Sequence, residues 1–557
     1  MKIGGTGDWE TDCIPGNRLS VFLTIRNMRR FSLFVISLIL VLAIFPVYTR
    51  FKVAAAPVAP GVYLGGLDLS TLKDADAIRA HLDTLYSQPI SVYFGDERLV
   101  LEPHEVDFHV DVAQMIGEAE QFLAGPDFLD IAVRHAVGLD QRRRDVPVRY
   151  MLDSAKLRAW LEQVAAEHDR PPQRARALPP SAAWYAGLTP DDAALPDDFV
   201  GLANNDWHWT PGAPGYTLDV DASIPRVIQA LTSSDARMAE LALIETPPPT
   251  PNMDDLARAL DSYTSNFPGF AAIYVHDLTT GDEAQVDDAV AFSGMSTLKI
   301  AIVTAIMQQI DDITPDNPAS SEIGQWIDFA LGESNNYAAN LLLTQLGGGD
   351  MTAGARTFTA FMRDLGLDDT YMQSGYDFAT QLAPIPTAAN TREDWDTDPD
   401  SNLQSTPRDM GRLLSAVYDC TQGTGLLLER FPDDFTPDEC MHILFYMSHN
   451  EFQELLWGGL PQIDQTWLVH KHGFAFESHS DVALVYGPAG PYVVSVFLFR
   501  SGWMDWETSN GTMKNISRII WNFFDFYQQQ TGVAPGAPLE LEPPPGYIPL
   551  GQFVPAQ

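Results

Sequence analysis

From residue 31 to 49 the chain reads FSLFVISLILVLAIFPVYT, nineteen positions without a charge. At 1.5 Å of rise per residue such a run matches a hydrocarbon layer about 30 Å thick. The pattern therefore predicts one transmembrane helix over 31–49, preceded by a cytoplasmic segment, 1–30. Arg26, Arg29 and Arg30 stand before the run, and Arg50 and Lys52 after it. This positive-inside bias predicts a single-pass cell-membrane protein whose C-terminal bulk is extracytoplasmic. Ala54-Ala55-Ala56 also offers a small-residue site for a cleaved secretory signal. Either way the bulk of the chain is exported.

Beyond the apolar run, alternation of apolar and polar positions predicts strands at 90–93, 99–101 and 108–110, then a helix near 112–123. The order recurs with a strand at 146–151, a helix at 154–168, a strand at 216–220 and a helix at 224–231. Two small α+β modules are expected, at 57–140 and 141–245. Two Pro-rich stretches, TPPPTPN at 246–252 and GVAPGAPLELEPPPGYIPLGQFVPAQ at 532–557, favour extended backbone without hydrogen-bond ladders. They read as a linker and a disordered tail around a block at 253–531. Within that block an apolar run at 300–307 predicts a buried helix, 481–486 and 492–499 a strand pair, and 513–530 a closing helix.

The composition narrows what these units can do. The 557 residues carry 74 Asp+Glu against 34 Lys+Arg, a formal charge of −40. Phosphate backbones bind through Lys and Arg, so nucleic acid is not an expected partner. With three cysteines and no Cys-x-x-Cys, neither a disulfide-dense scaffold nor a structural zinc site is expected. Cys420 and Cys440 lie in one block and either pair or serve as small buried apolar residues, while Cys13 stands alone.

Three short motifs in the block carry chemistry. Ser296-Thr297-Leu298-Lys299 opens the apolar run, and at helical spacing the first and fourth side chains share a face. Burial of that helix would strip Lys299 of solvent, so that a neutral amine takes the Ser296 proton and makes the hydroxyl a nucleophile. Ser334-Asn335-Asn336 supplies a second hydroxyl for proton relay and an amide to hold a substrate carbonyl. Lys471-His472-Gly473 supplies positive charge beside Ser334, and a glycine that lets an extended substrate approach a strand. Only seven lysines occur in the chain, and two of them occupy these places.

These residues resemble the serine β-lactamase and penicillin-binding superfamily, specifically its class A β-lactamase-like branch. Asp277 and Gly281, Leu346-Gly347-Gly348, Leu365-Gly366-Leu367 and Ser405-Thr406-Pro407-Arg408-Asp409 add to the match. The resemblance implies an α+β fold for 253–531, an α/β/α sandwich with an antiparallel sheet and an all-α subdomain. It implies Ser296 as acylated nucleophile, Lys299 as its base, Ser334 as proton shuttle, Asn336 as substrate ligand and Lys471 as electrostatic partner. His472 and Gly473 would border the substrate, and the backbone N–H groups of Ser296 and Phe474 would form the oxyanion hole. No cofactor is implied.

The substrate would be a β-lactam or a peptidoglycan stem peptide, cleaved through an acyl-enzyme at Ser296. A penicillin-binding D-Ala peptidase, or a catalytically weak wall-binding or sensor protein, are the alternatives. In the N-terminal part, Gly61-Val62-Tyr63-Leu64-Gly65-Gly66-Leu67 and Gly215-Tyr216-Thr217-Leu218-Asp219 resemble exported peptidoglycan-binding modules, which would make the cell wall a partner. Turn glycines explain the same residues.

The block departs from the family pattern in three places. Family lactamases carry a loop glutamate in a Glu-x-x-x-Asn arrangement that activates the deacylating water. Thr391-Arg392-Glu393-Asp394-Trp395-Asp396-Thr397-Asp398 stands there instead, with Glu393 the nearest candidate. The usual hydroxyl after Lys471 is replaced by His472. Ser480 occupies the strand position where an Arg for a substrate carboxylate is expected. His470, His472 and His479 also admit a metal reading, because positions i and i+2 of a strand share a face. Rings bonded to neighbouring backbone are the reading favoured here, and no metal is assigned.

Overall fold

A computed structural model describes residues 32–39, 57–72, 74–178, 208–310, 318–461 and 467–549. The chain separates into two compact units, Met1–Pro171 with Pro214–Thr246, and Pro172–Ala213 with Pro247–Gln557. Within the expected membrane span, 32–39 is helical and the rest lies outside the described residues. Among the described residues, no helix is long and apolar enough to cross a membrane.

The first unit has one core where the sequence pattern suggested two. A single buried cluster runs from Val58 to Leu241. Val62–Leu64 pairs in parallel with Arg144–Val146, and Ile90–Phe94 in parallel with Met238–Glu240, both across the expected boundary at 140/141. His109–Val110 pairs with Tyr150–Met151 across the same point. Strands of two to five residues bury too little surface to stand alone, so the two halves complete each other's sheets. Each of the helices Ala75–Tyr86, Val112–Ala124, Ser154–His168 and Val220–Thr232 begins at an Asp, at 74, 111, 153 and 219, whose carboxylate accepts from the first-turn N–H groups. Part of the acidity therefore sits where helix ends favour negative charge.

The second expected module also loses a segment. Arg176–Leu178 pairs with His208–Thr210, and Trp209 packs its ring 5.0 Å from Phe523. Its indole N–H donates to the Ile519 carbonyl, so this hairpin belongs to the core of the second unit.

That second unit is built on a five-stranded antiparallel sheet. In chain order its main elements are α1 (Met253–Thr264), β1 (Phe270–Asp277), β2 (Glu283–Val286), α2 (Leu298–Gln309), α3 (Pro318–Leu331), α4 (Asn336–Leu346), α5 (Met351–Asp364), α6 (Pro407–Thr421), α7 (Pro437–Met447), β3 (Leu468–Phe474), β4 (Ser478–Gly487), β5 (Gly490–Phe499) and α8 (Trp506–Thr531). The strand order is β2-β1-β5-β4-β3. Alternate residues of each central strand enter two different cores. Ala271, Ile273, Val275, Ala483, Val494 and Val496 join the α1 and α8 side, whereas Ala272, Val482, Leu484, Val493 and Phe497 join the α2–α7 side. Helices on both faces explain why β4 is buried at every position and reads as an unbroken run. Helix α2 is buried from Leu298 to Met307, which places its only lysine in the interior. Cys420 and Cys440 form a disulfide joining α6 to α7.

The expected disordered tail is ordered over much of its length. Leu539, Leu541 and Tyr547 pack against the helical core. The Tyr547 hydroxyl donates to Asp328 (2.9 Å), and Gln325 donates to the Ile548 carbonyl. Three apolar anchors within a proline-rich segment suffice to dock it, a pattern that composition alone does not distinguish from disorder.

Helices α4 and α5 meet at Gly354, where an added Cβ would lie 1.7 Å from the Leu343 carbonyl oxygen. Gly354→Ala is expected to lower the unit's stability in chemical denaturation by about 2 kcal/mol or more. Gly511→Ala in α8, where a Cβ meets nothing within 4 Å, is expected to raise it by up to about 1 kcal/mol.

Candidate active site

Ser296 sits on a single 3-10 turn, Met295–Thr297, that leads straight into α2. Met295 adopts a left-handed backbone, φ 52°, which costs a non-glycine residue energy. The buried Tyr376 hydroxyl donates to its carbonyl at 2.9 Å and holds the turn. One helical turn on, the wholly buried Lys299 brings Nζ to 2.9 Å from Ser296 Oγ. The same amine donates to the Ser334 carbonyl and to Asn336 Oδ1 (2.8 Å), and lies 3.4 Å from Ser334 Oγ.

The Ser334-Asn335-Asn336 stretch divides its labour by position. Asn335 caps α4, its Oδ1 accepting from the Ala338 N–H. Ser334, in a left-handed conformation at φ 58°, and Asn336 face the lysine. From the sheet, Lys471 Nζ donates to Ser334 Oγ at 2.9 Å and to the His472 carbonyl at 3.1 Å. One hydroxyl is thus flanked by two buried amines. Burial brings Lys299 down to about 7, against an ordinary lysine near 10.4, with the Asp377 carboxylate opposing the shift. Burial, with the neighbouring Lys299, also holds Lys471 well below its usual value.

Gly473 is required by sterics. A Cβ there would come within 2.8 Å of Met295 Cβ and Ser480 Oγ and 3.0 Å of the Ser296 nitrogen. Only a glycine lets β3 run this close to the Ser296 backbone. Phe474 follows it and lines the cleft of about 320 Å³ into which Ser296 and Asn336 open. Ser480 pairs with Gly473 in register, and neither Arg nor Lys lines this cleft among the described residues.

The three histidines have separate partners. His470 Nδ1 contacts the buried Asp481 (2.9 Å), His472 Nδ1 accepts from the Asn450 amide (3.3 Å), and His479 Nδ1 lies 2.6 Å from Ser509 Oγ. Burial, and then the charge of Lys471, push His472 down to about 2, so it is neutral at physiological pH. Among the described residues, no three His, Cys, Asp or Glu side chains group to hold a metal.

Glu393 is not brought to the site. It is exposed, on a loop fastened elsewhere by Trp395 against Phe270 (ring centroids 4.1 Å) and by Thr397 on the Ala291 carbonyl. The carboxylates that line the cleft are Asp377 and Asp400. Asp377 accepts from Asn336 Nδ2 at 3.2 Å, which places it one side chain from Lys299. Sequence reasoning missed Asp377 and Tyr376. Their stretch, Ser374-Gly375-Tyr376-Asp377, has no spacing relation to Ser296, and only the fold brings it there.

With this geometry in hand, similarity to known proteins can be placed. Residues 255–318 and 313–524 match the family model described as the β-lactamase enzyme family. A β-lactamase of Mycobacterium tuberculosis is 27% identical over 248 residues, covering 40% of this chain and 70% of that protein, and one of Mycobacterium bovis matches equally. Among solved structures, a class A β-lactamase from Mycobacterium abscessus is 21% identical, covering 48% of this chain and 97% of its own, with a TM-score of 0.36. A β-lactamase from Streptosporangium roseum is 20% identical, covering 47% and 96%, also at 0.36. Over these residues the unit that holds Ser296 is similar to the β-lactamase enzyme family.

If Lys299 acts as a neutral base, the rate of Ser296 acylation at limiting acylating agent rises with pH through about 7 and levels off above it. A stopped-flow pH profile checks this, a midpoint near 10 being the opposite result. Gly473→Ala is expected to lower that rate by about 10²-fold while far-UV circular dichroism stays unchanged, because it displaces the nucleophile by a fraction of an ångström to an ångström.

Proposed function

We propose that the chain is a serine hydrolase that opens a β-lactam or a related cell-wall peptide amide through an acyl-enzyme at Ser296. The observation that carries this is the placement of Lys299 Nζ 2.9 Å from Ser296 Oγ, with Ser334 Oγ shared between Lys299 and Lys471. In the acylation step neutral Lys299 takes the Ser296 proton while Oγ attacks the carbonyl carbon. The Ser296 and Phe474 N–H groups would stabilise the oxyanion. The proton then passes through Ser334 to the leaving nitrogen, and Lys471 keeps that hydroxyl polarised. Water hydrolyses the ester, with Asp377 as the base in place of Glu393. Asp377 lines the same cleft, and Asn336 orients it.

A second reading, a penicillin-binding D-Ala peptidase with slow deacylation, is favoured by one observation: the exposed Glu393 lies outside the cleft, and the carboxylate that replaces it is shorter. Export of the chain, with 31–49 as its anchor, is supported by the apolar run and by the Cys420–Cys440 disulfide, since such bonds persist in oxidising compartments. The first unit would then hold the enzyme near peptidoglycan.

Benzylpenicillin mixed with the full chain is expected to give a mass adduct on Ser296 that is absent from Ser296→Ala. A transient adduct with product release identifies a lactamase, and a stable one the peptidase reading. Asp377→Asn is expected to lengthen the adduct's lifetime by about 10²-fold or more. A folded protein that yields neither adduct nor product overturns both readings.

A further inference from the structure

Past the end of β3 the surface is unusually aromatic. Phe474 (42% exposed), Phe476 (64%) and Trp503 (55%) stand in the open within a chain of net charge −40. Phe452, Phe474, His479, Trp503, Met504 and Trp506 line an open groove of about 410 Å³. Their rings meet edge to face, Phe474 with Trp506 at 5.8 Å, Phe452 with Trp506 at 5.7 Å and Phe474 with His479 at 4.8 Å. Trp503 is itself braced by Phe476 at 4.8 Å. Among the described residues no carboxylate, Lys or Arg lines the groove, and His479 in its wall is pushed by burial down to about 4, the nearby Asp505 carboxylate opposing the shift, and is uncharged at neutral pH.

The groove borders the catalytic cleft. Phe474 lines both, and it directly follows Gly473, which lies against the Ser296 backbone. A substrate whose carbonyl sits at Ser296 therefore has Phe474 as one of its walls. From this shared wall, and from sides that offer ring edges and faces but no charged group among the described residues, we propose that the groove is a specificity subsite for an uncharged aryl group on the substrate, with Trp503 and Trp506 as the specificity-determining residues. An aryl ring seated there gains edge-to-face contacts with rings that are already ordered, whereas a charged substituent would be desolvated without a partner. This rests on the acyl-serine reading and adds the class of side chain that the site selects.

The test compares two thioesters that differ in one uncharged group, phenylacetyl-glycyl-mercaptoacetate and acetyl-glycyl-mercaptoacetate. The full chain is used, and the second-order rate of Ser296 acylation is followed by intact mass. The phenylacetyl compound is expected to react at least about tenfold faster. In Trp503→Ala and Trp506→Ala that preference is expected to fall below about threefold, the acetyl compound reacting as before, and Trp503→Phe is expected to restore most of it. Equal rates in the unaltered protein, or a preference that survives both alanine variants, overturn the proposal. Should neither thioester acylate Ser296, the hydrolase reading is decided by the benzylpenicillin experiment, and the groove is judged by ¹⁹F NMR binding of 4-fluorophenylacetamide. Binding that Trp503→Ala abolishes upholds an aryl site, and no binding overturns it.

Discussion

Two amines held against one buried hydroxyl are the constraint on which the site depends. Both Lys299 and Lys471 contact Ser334 Oγ, at 3.4 and 2.9 Å, so their nitrogens are no farther apart than those two contacts laid end to end. At an effective dielectric near 20, two positive charges at that separation repel by more than about 2.5 kcal/mol, about two pKa units, before any cost of burial. Both side chains are fully removed from solvent. Full protonation of the pair is therefore disfavoured at neutral pH: burial and the charge of Lys299 hold Lys471 well below its usual value, and burial brings Lys299, the member beside Ser296, to about 7. A neutral amine next to a hydroxyl is what acyl transfer needs from its base.

The surrounding fold can be understood as the means of maintaining that constraint. Helix α2 is buried around its whole circumference from Leu298 to Met307, so Lys299 is held in the core beside Ser296. β3 carries Lys471 inward and, through Gly473, approaches the Ser296 backbone. The strained turns at Met295 and Ser334 are fixed by hydrogen bonds from Tyr376 and Lys299 to their carbonyls. Such strain persists where the surrounding contacts over-determine the backbone.

How much was legible in the sequence followed the range of the interaction. Ser296 and Lys299 were readable because four residues of helix bring them together, and Ser334, Asn336 and Lys471 because the resemblance assigned their order. Asp377 was not readable, since a carboxylate 81 positions after Ser296 carries no periodic signal, whereas Glu393, the nearest match to the family pattern, lies in a loop whose Trp395 fastens it to Phe270. The strands of the first unit were mostly visible in the alternation, yet their pairing was not. Val62–Leu64 finds its parallel neighbour at Arg144–Val146, so two apparent modules share one core. The tail misled in the opposite direction, because three apolar anchors outweigh the proline content around them.

The most direct test of the central claim is titration of the lysines themselves. The chain has seven, so ¹³C-labelled lysine gives few enough Cε resonances to follow by NMR across pH 5 to 11. One resonance, removed by Lys299→Met, should titrate near 7. If the Lys299 signal instead titrates together with the exposed lysines, near 10 or above, the amine beside Ser296 is an ordinary ammonium and the account of its chemistry is wrong.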